Sequence, residues 1–451
     1  MNSDWDQDHR VVAEPRPRQD RFGFDVVEGD CMLSVYTNNF RCFSGEQTVP
    51  VRPLTLLVGE NSTGKTSFLA AVRLAEKLHT LNEPPDFNEE PFKLGTFDEI
   101  NNNQGGKSSR TGSFAIGSTF GMEEFHRGSQ ITQTTTFINI NATPTSAKLE
   151  YHGDRFNLIV ERKDSSTLMA ELRIEGYPEI SRQFHGKNIT DFFLFKYVMI
   201  DLISNVLIEP SRDTEADLRP FLEMMQSPYL NHPYAAAPVR AQPQRTYELL
   251  NDMTRSQGEH IPMILSQIYG HKEWESLREP LESFAKSSGL FDEISVKRLG
   301  KNEGSPFQIQ VKINGPARNL IDVGYGVSQV LPLIVDLLRD SGPRIFLIQQ
   351  PEVHLHPRAQ AELGSFFASI VQSQGKQIFV ETHSDYLIDR VRTCVREKTL
   401  KPSQVIILYF QRVKKTITIE PMELDAQGNF LSIPQNFRSF FMEEEKRNLG
   451  I

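Results

Sequence analysis

Cysteine is scarce in this 451-residue chain: only Cys31, Cys42 and Cys394 occur, far apart from one another. So thin a set excludes a disulfide framework and a cysteine zinc cluster, and it suits a reducing cytoplasm. Any run of about 18 apolar residues is lacking, so no membrane span is expected. The opening stretch, MNSDWDQDHRVVAEPRPRQDRFGFD, lacks the basic-then-apolar order of a secretory signal. Its charges and prolines predict a disordered arm over residues 1–28. There is no internal repeat and no sustained heptad, which excludes solenoids and long coiled coils. Positive charge is not in excess either. The net charge of −9 argues against wholesale coating of nucleic acid, while leaving room for a local basic groove.

What is present fits a globular protein, with 38% hydrophobic and 24% charged residues. The length points to two lobes or one elaborated domain. From Met32 to Val58 the pattern reads strand, turn, strand. A glycine-rich turn follows, and TSFLAAVRLAEKLHTL then has helical spacing. Between about Thr111 and Ile180, TTTFINI, AKLEYHG, FNLIVERK and LMAELRIEG predict a β-meander. From about Asn188 to Ser288 the pattern turns helical in DFFLFKYVMIDLISNVL, LRPFLEMMQS and IPMILSQIYG, with the proline-bearing link NHPYAAAPVRAQPQRTYELL between them. The last third alternates strands (FQIQVKI, RIFLIQQ, QIFVETH) with helices and closes on QVIILYFQR and KTITIEPMEL. That alternation predicts an α/β fold with a largely parallel sheet flanked by helices. The expected division is an N-terminal head segment with a β-lobe over 29–182, a helical insertion over 183–290, and a C-terminal head segment over 291–451.

Gly59-Glu-Asn-Ser-Thr-Gly64-Lys65-Thr66 fits the pattern G-x-x-x-x-G-K-[ST], and it follows an apolar strand and opens a helix. The glycines let the backbone curl so that its N–H groups, including those of Asn61, Ser62, Thr63 and Ser67, point at phosphate oxygens. Lys65 places a charge on the β- and γ-phosphates, Thr66 offers a hydroxyl to Mg²⁺, and the helix adds its positive end. The expected ligands are therefore ATP and Mg²⁺. In NLIDVGYGVSQVLPLIVDLL, Gly324, Gly326, Ser328 and Gln329 precede or open an apolar helix and make a second anion-binding surface. RIFLIQQPEVHLHP and QIFVETHSDYLIDRV each end an apolar strand in polar residues, where open α/β sheets gather ligands.

Five ordered motifs carry a family resemblance: NNFRCFSGEQTVPVRPLTLLVGENSTGKTS, LGTFDEI, DVGYGVSQVLPLIVDLL, QQPEVHLHP and VETHSDYLIDRVR. With them the chain resembles, from about residue 32 onward, the ABC-type ATPases of the overcoming-lysogenization-defect group, relatives of SMC and recombination-repair heads. Within that group it is most similar to stand-alone ATPase subunits of bacterial anti-phage systems of the Septu type. The resemblance implies a P-loop ABC-type head and a homodimer or higher oligomer with two ATP molecules between the heads. The DVGYGVSQ segment would face the other subunit's nucleotide, His383 would be the switch histidine, and Arg41 would help hold the nucleotide. Arg240 and Arg245 of APVRAQPQRTY belong to the resemblance without an assigned role. With few residues following PMELDAQGNFLSIPQNFRSFF, the C-terminal TOPRIM nuclease of full-length relatives is not expected. A nuclease is therefore expected on a separate polypeptide.

One departure bears on chemistry. The resemblance puts Gln349 where a carboxylate meets the Mg²⁺ shell and Gln350 where many ABC ATPases carry the general base. Glutamine accepts a hydrogen bond from water but cannot take its proton at neutral pH. A general base is typically worth 10²–10⁴-fold, so slow hydrolysis is expected, with Glu352 or Glu381 as substitutes. The leading functional expectation is an ATP-gated sensor and scaffold that controls a separate effector in anti-phage defence. The alternatives are an SMC-like DNA-repair or DNA-processing ATPase, for which GGKSSR and KRLGKN are modest basic signals, and a pseudo-ATPase with structural nucleotide. A transporter ATPase is least favoured, because no LSGGQ signature is present.

Overall fold

A computed structural model of the protein describes residues 31–80, 84–102, 111–122, 129–186, 192–206, 218, 233–248, 255–302, 304–340, 343–414, 416–434, 437 and 446–447. The arm expected at 1–28, the GGKSSR stretch and nearly all of LRPFLEMMQS lie outside the described residues. In chain order the first half carries β1 (Cys31–Phe40), β2 (Phe43–Pro50), β3 (Leu54–Gly59), α1 (Lys65–Thr80) and the one-turn α2 (Phe97–Ile100). Then come β4 (Ser113–Met122), β5 (Ser129–Ile140), β6 (Thr143–His152), β7 (Phe156–Arg162), β8 (Thr167–Ile174), β9 (Ile180–His185) and α3 (Phe192–Val206). The second half holds β10 (Tyr234–Ala236), α4 (Ile261–Ile268), α5 (Lys272–Ser288), β11 (Glu293–Arg298), β12 (Phe307–Lys312), β13 (Ala317–Asn319) and α6 (Tyr325–Leu338). It closes with β14 (Ile345–Gln349), α7 (Pro357–Gln374), β15 (Gln377–Glu381), α8 (Asp385–Arg396), β16 (Val405–Val413) and β17 (Thr416–Met422). No helix among the described residues is long and apolar enough to cross a membrane.

The strands form three sheets. The central one has the order β10-β14-β15-β3-β16-β17, parallel except for its last strand. Its middle strands β14 and β15 are fully buried, with apolar residues at all but their ends, as a sheet covered on both faces requires. Side chains alternate between the faces. Leu57, Leu347, Phe379 and Leu408 join α1 and the β-lobe in one core, whereas Leu56, Ile348, Val380 and Ile407 join α6, α7 and α8 in the other. Helix α1 is thus sandwiched between sheets, with Phe68, Leu69, Val72, Ala75 and Leu78 buried. At roughly 1.5–3 kcal/mol for each large apolar side chain buried, packing rather than helix propensity holds it.

The predicted meander is present as β4 to β9, and β1 and β2 extend it into one eight-stranded antiparallel sheet. Gln377, at the start of β15, ties this sheet to the central one: it accepts from the Met32 N–H at 3.1 Å and donates to the Met32 carbonyl at 2.7 Å. Two segments differ from expectation. FQIQVKI is not part of the parallel sheet; β12 pairs with β11 and β13 in a separate antiparallel sheet. Its alternating buried and half-buried residues suit a sheet with one covered face. The link within the region read as helical also contributes a strand, since Tyr234–Ala236 runs parallel to β14 at the edge of the central sheet.

Candidate nucleotide site

β3 delivers the chain into the phosphate loop at the carboxyl edge of the central sheet. Gly59 (φ +137°) and Gly64 (φ +91°) take backbone conformations that L side chains avoid. A Cβ at Gly59 would collide with the Phe410 carbonyl, and one at Gly64 with the Cys42 sulfur. The loop is braced from within, as Thr63 Oγ1 donates to the Glu60 carbonyl at 2.7 Å and Arg412 donates to the Ser62 carbonyl at 2.9 Å. Lys65 Nζ donates to the carbonyls of Gly59 and Glu60, at 3.0 and 2.7 Å. Burial pulls the lysine pKa below its usual value, opposed by the nearby charges of Glu381 and Glu60.

A cleft of about 500 Å³ opens over this loop, walled by Ser62 to Ser67, Arg41 and Glu381. Asn61 is exposed at the loop tip. A buried ammonium with two of its three protons committed to the loop, an arginine lining the same cleft, and a helix N-terminus together fit a polyphosphate. Mg²⁺ bound with it would neutralise phosphate charge, and Thr66, with an exposed hydroxyl-bearing side chain, lies where it would be held.

Sequence reading missed one wall of the cleft. Asp98, Glu99 and Asn101, from α2 and the residue after it, line it together with Cys42. Glu99 accepts from the Thr96 N–H and hydroxyl at 2.7 and 2.9 Å, and those bonds hold its carboxyl below the usual range. Arg41 (φ +54°) joins this wall, its N–H on the Ile100 carbonyl at 2.6 Å and its guanidinium on the Leu94 carbonyl at 3.1 Å. The motif LGTFDEI supplies this wall, and its acidic pair is the signal the sequence offers for it.

The strand ends meet as the order β14-β15-β3 dictates. Gln349 pairs with Glu381, and Glu381 with Leu57. Gln349 is buried, and its Nε2 has no partner among the described residues. Gln350 is half-buried with φ +43°, and its N–H donates to the Glu381 carbonyl at 2.8 Å. Glu352 is buried; its Oε1 accepts from the His383 N–H at 2.7 Å, and its Oε2 has no partner among the described residues. Burial raises the Glu352 pKa, with Arg240 among the groups opposing the rise. His383 itself is exposed, its pKa lowered by desolvation and then by Lys65.

The second glycine segment does not line the phosphate cleft. Gly324 and Tyr325 are exposed at the start of α6, and Gly326 packs closely on the His354 carbonyl. Ser328 and Gln329 are buried instead. Ser328 donates to the Tyr325 carbonyl at 2.9 Å, while the Gln329 side chain pairs with the backbone N–H and C=O of Arg240 at 2.9 and 3.3 Å. These two residues, expected to face another subunit's nucleotide, are not presented at the surface. Arg240 is buried with Nε and Nη2 unpartnered among the described residues, whereas Arg245 forms an exposed pair with Asp322. Of the basic KRLGKN stretch, Lys297 and Lys301 are exposed at the end of β11 and beyond it.

Residues 34–193, which include the phosphate loop, match a sequence family described as "AAA domain". Residues 276–389, which include both glutamines and His383, match one described as "AAA domain, putative AbiEii toxin, Type IV TA system". No curated protein matches the chain. The phosphate loop, the sheet that carries it and the two matches support a P-loop ATPase of the AAA type, a class that uses nucleotide and usually Mg²⁺. Among solved structures, an Smc head domain bound to the C-terminal domain of ScpA, from Pyrococcus furiosus, aligns at TM-score 0.46 and 11% identity over 93% of this chain and 100% of that one. The SMC head domain from Thermotoga maritima aligns at 0.42 and 13%, over 87% and 99%.

Proposed function

We propose that the protein binds ATP with Mg²⁺ in the β3–α1 cleft, hydrolyses it slowly, and works as a nucleotide-held homodimer. In that state it controls a separate effector, a nuclease, in bacterial anti-phage defence. The observation that carries the slow hydrolysis is the end of β14, where Gln349 and Gln350 stand and no carboxylate does. The next acid, Glu352, lies two residues further on and is buried, its Oε1 held by the His383 N–H at 2.7 Å and its Oε2 unpartnered among the described residues. Positioning and charge neutralisation by Lys65, Thr66 and the loop still support a residual rate. ATP that survives long in the site would keep the dimer closed, which suits a switch better than a motor. The dimer and the effector rest on the family resemblance of the five motifs. Single-turnover hydrolysis with labelled ATP tests the reading: turnover slower than about one per minute is expected, and a rate of several per second would overturn the slow switch.

A further inference from the structure

The end of β14 lacks the carboxylate, but the cleft has one a strand away. Alternation along the central sheet places Leu347 and Phe379 on the α1 face, so Gln349 and Glu381, two residues further along each strand, face the same way. They are register partners on adjacent parallel strands, side by side beneath the start of α1. Glu381 Oε2 accepts a hydrogen bond from Thr66 Oγ1 at 2.8 Å. Glu381 also lines the cleft beside Lys65, whereas Gln349 stays buried with an amide nitrogen that has no partner among the described residues.

We propose that Glu381 is the positioning carboxylate of the Mg²⁺ site, doing from β15 what a β14 carboxylate does elsewhere; the proposal rests on the ATP·Mg²⁺ reading above. A threonine hydroxyl can ligate a cation only through its lone pairs, so its proton must be donated away from the metal. Glu381 accepts that proton and turns the Thr66 oxygen toward the cleft. Its negative charge also supplies the local field a hard divalent cation requires, which a neutral glutamine cannot. Two of the other acids are differently engaged: Glu352 holds the His383 N–H, and Glu99 is bonded to Thr96. The charge of the metal site then comes from β15 rather than from β14.

The test measures affinity for a fluorescent ATP analogue with MgCl₂ and with EDTA, in wild type, Glu381→Gln and Glu381→Gln/Gln349→Glu. Wild type should bind more tightly with Mg²⁺. Glu381→Gln should reduce that gain, read as the ratio of the affinities with MgCl₂ and with EDTA, at least tenfold. The double variant, which returns a carboxylate to β14, should recover most of the gain. An unaltered Mg²⁺ gain in Glu381→Gln overturns the proposal while leaving ATP binding intact. Absence of any binding by wild type overturns the ATP·Mg²⁺ reading, and this proposal with it. Should Glu381→Gln not fold, Thr66→Ala at its exposed position must lose the Mg²⁺ gain, and its retention there overturns the proposal equally.

Discussion

At the scale of single residues, the phosphate loop was readable because its chemistry is contiguous: Lys65 and Thr66 sit within one eight-residue pattern. Glu381 was readable only as an acid at a strand end. Its bond to Thr66 spans 315 positions of sequence and follows from β15 lying beside β3. Gln350 carries a prediction at this scale. Replacing Gln350 with Glu should accelerate single-turnover hydrolysis, by up to about 10²–10⁴-fold if the position is the vacant general base. No acceleration, with nucleotide affinity retained, would mean that the base lies elsewhere and that Glu352 is the next residue to vary.

At the scale of elements, the parallel strands announced themselves as unbroken apolar runs, and α1 by its spacing. The misplaced strand was β12, whose F-Q-I-Q-V-K alternation signals one covered face rather than two. Another consequence of burying α1 on all sides concerns His79 in its last turn. Its ring stacks on Phe120 at 4.1 Å, its Nδ1 has no partner among the described residues, and burial lowers its pKa to about 3. Between pH 6.5, the ordinary histidine value, and about 3, the unfolded chain binds a proton that the folded one refuses. Stability therefore falls as pH falls through that window, by about 1.4 kcal/mol per pH unit from this group. Urea unfolding of His79→Phe between about pH 6 and pH 4 should show a slope shallower than wild type by that amount. Equal slopes would mean that the histidine is protonated in the fold.

At the scale of the whole molecule, the start of α6 contributes no residue to the lining of the phosphate cleft. In the proposed dimer that segment closes on another subunit's nucleotide, and what it presents is Gly324 and Tyr325 rather than Ser328 and Gln329. Light scattering after gel filtration should show a shift to twice the monomer mass with ATP and Mg²⁺. Tyr325→Asp, at a side chain 39% exposed, should abolish that shift without weakening nucleotide binding by more than about twofold. A single monomer peak in every nucleotide state would remove the dimer from the proposal.

Residue order alone was enough for the phosphate loop and for most strands and helices, because each depends on neighbours within a few positions; reading Gln349 and Gln350 as a vacancy in acid needed the family resemblance as well. It was not enough for the pairing of strands, which brought Glu381 to Thr66. Nor did it reveal burial, which took Ser328 and Gln329 inside, or the α2 wall that lines the cleft with Asp98 and Glu99. Those depend on which distant segments share a sheet edge or a core face, and such contacts exist only once the chain has packed.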